Sequence, residues 1–65
     1  MYTGLVKFYN ETKGYGFIKD DADGTKEYFV HATGLKDKVK QNDHVSFELK
    51  DGKKGINAIN VAKLS

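Results

Sequence analysis

Aromatic side chains recur at alternate positions in two short segments of the chain, residues 15–19 and residues 27–32. Because the side chains of a β-strand alternate between two faces, each segment would place rings on one face and an aliphatic residue, Ile18 or Val30, on the other. The side chains expected on the ring-bearing face are Tyr15, Phe17, Lys19, Phe29 and His31. Exposed rings can stack against unpaired nucleobases while lysines contact the phosphates. The spacing therefore favours a surface that binds single-stranded nucleic acid.

The segment that precedes these two adds to the same surface if its alternation is interrupted. Strict alternation would place Val6 and Phe8 on one face. A core built from Val6 and Tyr9 instead leaves the intervening Lys7 and Phe8 outside. A β-bulge shifts the alternation in this way, because it inserts one extra residue into a strand. We therefore predict a bulge in this strand, with Phe8 beside the other exposed rings.

Composition narrows the range of functions further. The chain has 65 residues, no cysteine for disulfides or thiolate metal sites, and a formal net charge of only +2. This charge is too small for a protein that binds nucleic acid by electrostatics alone. Four Phe and four Tyr exceed what so small a core can bury, so some rings should be exposed. Without a long apolar run or a secretion signal, we expect a cytoplasmic protein with no membrane partner.

Turn-forming residues divide the chain into five segments that are typical of strands. The predicted strands are residues 4–10, 15–19, 27–32, 44–50 and 56–63. No segment has a convincing helical pattern, and residues 36–41 form one helical turn at most. Five short strands are too few for two full sheets, so the sequence predicts an all-β, five-stranded antiparallel barrel. We expect a hairpin turn at Asp51-Gly52 and expect Ile59 and Val61 to face the core together.

Other kinds of site find little support. Asp20, Asp21 and Asp23 lie in one turn but lack the spacing and the final glutamate of a calcium loop. His31 and His44 are too few for a metal site, and no serine has an evident catalytic base. We therefore expect no enzymatic activity, no cofactor, no metal and no small-molecule substrate.

The same segments resemble the cold-shock domain of bacterial cold-shock proteins. Residues 13–19 (Lys-Gly-Tyr-Gly-Phe-Ile-Lys) and 28–31 (Tyr-Phe-Val-His) are similar to the two ribonucleoprotein motifs of that family. The resemblance continues through residues 45–48 and 55–61 and implies one cold-shock domain over residues 1–65. It also implies an oligonucleotide/oligosaccharide-binding (OB) fold that binds single-stranded RNA and DNA, as a monomer, with an RNA-chaperone role in the stress response.

The resemblance also implies particular binding residues. Carried over position by position, they are Lys7, Phe8, Asn10, Lys13, Tyr15, Phe17, Phe29, His31, Lys54 and Asn57. Two aromatic side chains common in the family are absent, one replaced by Ala32 and one missing from the short segment 36–43. We therefore expect weaker binding, or fewer bound nucleotides, than in a relative that has both.

Two other functions stay open on the sequence alone. A large exposed apolar patch on a monomer is typical of a binding surface of some kind, and the aromatic surface would also suit a small protein-interaction module. The lysines, in turn, would suit contact with duplex DNA. Stacking makes the single-stranded ligand the preferred prediction.

Overall fold

The computed structural model describes residues 1–52 and 55–64 and shows a five-stranded barrel. Its strands are β1 (Tyr2–Asn10), β2 (Tyr15–Asp20), β3 (Glu27–His31), β4 (His44–Gly52) and β5 (Gly55–Lys63), with a short 3₁₀ turn (Ala32–Gly34) after β3. The barrel closes in the order β1-β2-β3-β5-β4. The predicted all-β barrel is thus confirmed, although its β3–β5 pairing is parallel. No helix in the described ranges has the length and apolar character that a membrane crossing requires.

Aliphatic side chains and one phenylalanine fill the barrel interior. The buried apolar residues, each at most 2% exposed, are Val6, Ile18, Val30, Val39, Val45, Phe47, Ala58 and Val61. Ile18 and Val30 are the predicted anchors of β2 and β3, and both are fully buried. Because these two positions face inward, the residues directly before and after them in the same strands face outward.

Strand β1 contains the predicted bulge. Val6 pairs with Ile18 and Phe8 pairs with Phe17, and the register shifts between Val6 and Phe8. Val6 is buried and Tyr9 packs against the core, whereas Lys7 and Phe8 are exposed. The bulge therefore brings two consecutive side chains of β1 to the outer surface.

The β4–β5 hairpin is longer than predicted. Asp51 pairs with Ile56 and Gly52 pairs with Gly55, so both strands continue through the predicted Asp51-Gly52 turn. Residues 53–54, which separate the two strands in the sequence, lie outside the described residues. The register with β5 decides the turn position here, in place of the local preference of Asp-Gly for turns.

Asn60 interrupts the alternation of β5. Its φ is +52°, a left-handed conformation that asparagine tolerates better than most residues. Its side-chain amide donates to Glu48 Oε2 at 2.6 Å, next to a register shift in β4. The core residues of β5 are consequently Ala58 and Val61, three positions apart. The prediction that Ile59 faces the core together with Val61 is wrong, since Ile59 is only half-buried.

The segment between the 3₁₀ turn and β4 is held to β5 and forms no helical turn at residues 36–41. The Lys36 N–H donates to the Val61 carbonyl at 2.7 Å, and the Lys63 N–H donates to Asp37 Oδ2 at 3.0 Å. Val39 is buried in the core from this segment. Residues 36–41 follow this path and not a helical turn, because burial of Val39 contributes more free energy of folding than an isolated helical turn would.

The acidic turn between β2 and β3 is organised by its own hydrogen bonds. Asp20 Oδ1 accepts the N–H groups of Ala22, at 2.7 Å, and Asp23, at 3.3 Å. Asp21 Oδ2 lies 2.6 Å from His44 Nε2, and this hydrogen bond lowers the pKa of Asp21. In residues 1–52 and 55–64, no group of three or more His, Cys, Asp and Glu side chains could hold a metal ion.

Close contact between β1 and β2 depends on glycine at position 16. Gly16 pairs with Tyr9 and is buried. A Cβ atom at this position would overlap the carbonyl oxygen of Phe8 and would lie 2.8 Å from the Cα and Cδ1 atoms of Tyr9. Most of these obstructing atoms belong to the backbone, so they cannot move aside without displacing the strand.

We expect Gly16→Ala to reduce the free energy of unfolding by about 1–3 kcal/mol or more, as overpacked substitutions do. Urea denaturation followed by circular dichroism measures the change. Gly24→Ala is the matched control, because its Cβ would approach only the flexible Lys19 Cε, at 3.4 Å. Equal denaturation midpoints for the two variants would contradict the role given to Gly16.

Candidate nucleic-acid interface

Four aromatic rings form one cluster on the outer surface of β1, β2 and β3, here called the aromatic face: Phe8, Tyr15, Phe17 and Phe29. Phe17 lies in the middle, paired with Phe8 on one side and with Phe29 on the other. Tyr15 is its neighbour along β2, with ring centroids 6.0 Å from those of both Phe8 and Phe29. All four rings that the sequence predicts for this surface are brought together.

The rings hold one another in place and still leave area for a ligand. Phe17 packs edge-on against Tyr15, at 90°, and at 76° against Phe29, whereas Tyr15 and Phe29 are nearly parallel at 16°. Edge-to-face and offset contacts at these distances are the arrangements that aromatic pairs prefer. Phe8 is 42% exposed and the other three are half-buried. The surface is thus pre-organised, which lowers the entropy cost of binding.

The remaining aromatic side chains serve the barrel. Tyr2 and Tyr28 both contact Phe47, with ring centroids 5.9 Å and 5.8 Å away. Phe47 is buried, and Tyr9 packs against the core. Burial, followed by the charge of the nearby Asp20, raises the pKa of Tyr28. Phe47, Tyr9 and Tyr28 therefore belong to the interior, the exposed Tyr2 packs against Phe47 from outside, and the other four rings make up the aromatic face.

His31 lies beside the aromatic face, with a defined ring orientation. It pairs with Tyr15 across β2 and β3. The Thr33 N–H donates to His31 Nδ1 at 3.2 Å, and the Thr33 hydroxyl oxygen lies 3.0 Å from the same nitrogen. The imidazole caps the 3₁₀ turn in this way. Thr33 thus fixes the orientation of the ring through Nδ1.

The predicted lysines differ in how their charges are compensated. Lys7 Nζ lies 2.7 Å from Glu27 Oε2, and both side chains are exposed. A phosphate that binds Lys7 therefore competes with a carboxylate, although an exposed ion pair contributes little stability. Lys19 is also exposed, and its side chain passes over Gly24. Lys13 is exposed in the turn between β1 and β2.

Asn10 has a structural role that the sequence analysis did not predict. Its Oδ1 accepts the Lys13 N–H at 3.0 Å, and its carbonyl accepts the Gly14 N–H at 2.7 Å. Gly14 has φ of +74°, which suits glycine in a tight turn. Asn10 thus closes the turn that connects β1 to β2.

Of the two predicted residues that follow β3 in the sequence, the structure describes only Asn57. Asn57 is half-buried on β5 and pairs with Phe29 of β3. It therefore borders the aromatic face on the side opposite Phe8. Lys54 lies outside the described residues, so its predicted role stays a prediction.

A groove of about 440 Å³ opens next to Ala32, the position where an aromatic is absent. Its lining includes Tyr9, Glu11, Ala32, Leu35, Lys36 and Val39. Ala32 directly follows His31 in the chain, so the groove begins one residue beyond the end of β3. The small side chain at position 32 could have indicated a hollow here, but its size depends on the path of residues 36–39.

Nearly the whole chain matches one known family. The family model of the 'Cold-shock' DNA-binding domain matches residues 2–64. The chain is 43% identical over 68 residues to the major cold shock protein of Micrococcus luteus, covering 98% of this chain and 100% of that protein. It is 46% identical over 66 residues to the cold shock-like protein CspC of Shigella flexneri, covering 94% and 93%.

A solved structure shows the same fold. The match is to Drosophila Unr CSD456, with a TM-score of 0.78 and 22% identity over 98% of this chain. This chain spans only 26% of that longer one. The predicted resemblance is confirmed by the family match and by relatives of similar length. The chain belongs to the cold-shock domain family.

Proposed function

We propose that this protein binds single-stranded RNA and DNA with little preference for sequence. The cold-shock domain is a nucleic-acid-binding family. The observation that supports the finer proposal is the aromatic face, in which four rings on three neighbouring strands are paired in register. Each ring offers a stacking surface to an unpaired base. Because every base has a π-face, stacking discriminates weakly among them.

The same binding mode suits an RNA chaperone. A ligand surface that accepts only unstacked bases binds the open form of a hairpin and not the paired form. Differential affinity of this kind shifts the equilibrium towards single strands. This mode of action involves no chemical step, so we propose a binding protein and not an enzyme. We also propose that it acts in the cytoplasm.

Phe17→Ala and Phe29→Ala should each reduce the free energy of binding to a short oligo-pyrimidine by about 1–3 kcal/mol, because each removes one stacking ring. Fluorescence anisotropy of a labelled oligonucleotide measures the affinity. Tyr2→Ala is the control, since Tyr2 is an exposed ring outside the aromatic face.

Unchanged affinity in a folded Phe17→Ala variant would overturn the stacking mode. Competition with unlabelled duplex DNA tests the alternative that the lysines bind duplex DNA. If the duplex competes as well as the single strand, the lysines and not the rings determine binding.

Salt should weaken binding to a limited degree. With about four phosphate contacts, from Lys7, Lys13, Lys19 and Lys54, the logarithm of affinity should fall with the logarithm of salt concentration at a slope near −3. Titrations at several salt concentrations measure this slope. An affinity that does not change with salt would remove the lysines from the mechanism.

Ala32→Phe should tighten binding and extend the bound site, because a ring at position 32 would cover the groove that follows His31. One added stacking base corresponds to about 1–3 kcal/mol. The comparison uses oligonucleotides of increasing length with both proteins. Ala22→Phe, in the exposed acidic turn, controls for the added apolar area. Equal affinities for Ala32→Phe and the unmodified protein would show that the groove does not receive nucleic acid.

A further inference from the structure

The row of paired residues that contains the aromatic rings continues across the rest of the barrel. Phe29 pairs with Asn57 of β5, and Asn57 pairs with Lys50 of β4. Directly paired residues of neighbouring strands lie on the same side of a sheet. Burial agrees with this, because Ala58 is buried and Leu49 packs against the core. Asn57 and Lys50 consequently face outward, in line with the aromatic face.

The charge of Lys50 is available to an anion. Lys50 is exposed, and the three ion pairs found in the described ranges do not include it. The nearest acid on its side of β4 is Glu48, whose Oε2 accepts a hydrogen bond from Asn60. Asp51 follows directly in the sequence and so points to the opposite face. Lys7, which precedes Phe8 at the other end of the row, is by contrast paired with Glu27.

We propose that Lys50 binds a phosphate of the nucleic acid and extends the binding track by two strands beyond the aromatic face. The inference rests on the proposed function, because it requires a strand on the aromatic face. From Phe8 to Lys50 the row crosses four strand spacings, about 19 Å at roughly 4.8 Å each. A strand that stacks on the rings and passes over Asn57 brings its next phosphate to Lys50.

Lys50→Gln tests the contact because it removes the charge and keeps an unbranched polar side chain. Lys50 adds a fifth phosphate contact on a long strand, so the slope of log affinity against log salt should be about −3.5 there and should become shallower by about 0.7 in Lys50→Gln, the value for one phosphate on a single strand. At 0.1 M salt this corresponds to an approximately fivefold weaker affinity relative to the extrapolated 1 M reference. The loss should appear with a long oligo-thymidine and disappear with one too short to pass beyond Phe29. Anisotropy titrations over a series of lengths measure both effects.

Lys63→Gln is the control for a distant lysine, whose Nζ lies 3.8 Å from Asp43 Oδ2, too far for a hydrogen bond. It makes the same charge change on β5, six residues from Asn57, about 20 Å along the strand at roughly 3.3 Å per residue. If Lys50→Gln and Lys63→Gln give the same slopes, or if Lys50→Gln weakens short and long oligonucleotides equally, the contact is overturned and only general attraction remains. Failure of the proposed function looks different. In that case the unmodified protein does not bind, or Phe17→Ala binds as tightly as the unmodified protein.

Discussion

The contact between the backbones of β1 and β2 at Gly16 is the constraint on which the binding surface depends. The two strands approach so closely there that a single added carbon would overlap the carbonyl oxygen of Phe8. That approach holds the bulged part of β1 against β2, and the bulge turns Phe8 outward to pair with Phe17. Packing inside the barrel and ring placement outside it are therefore two results of one backbone arrangement. A side chain at position 16 would disturb both.

Much of the fold could be predicted from the sequence, because local alternation around buried anchors determines it. Ile18 and Val30 fix which side of β2 and β3 faces inward, and the need to bury Tyr9 predicts the bulge. The predictions that failed concern positions whose conformation depends on pairing with a strand distant in the sequence. Asp51-Gly52 is a good turn by itself, yet pairing with β5 extends the strands past it. The left-handed conformation of Asn60 depends on register with β4, which no local pattern reveals.

The candidate site divides in a similar way. Its rings could be predicted, because residue type and a period of two are enough to place them on one face. Its charges could not, since the Lys7–Glu27 pair joins residues twenty positions apart. The role of Asn10 in closing a turn could not be predicted either, because it depends on a hydrogen bond from the Lys13 N–H to its side chain. Neither a sequence motif nor the family resemblance identifies Lys50 as a binding residue. Its alignment with Phe29 follows only from the order of the strands in the barrel.

The parallel β3–β5 pairing is the shortest seam of the barrel, with two residue pairs where the other pairings have four to seven. Local opening of a fold follows the places with the fewest interactions. One of the two pairs in this seam is Phe29 with Asn57, directly beneath the proposed path of the nucleic acid. A ligand that contacts both residues would hold β3 and β5 together at the pairing that has the fewest residue pairs. Bound ligand would then lower the fraction of molecules in which β3 and β5 are separated. Ligand binding and local opening of the barrel would be thermodynamically coupled.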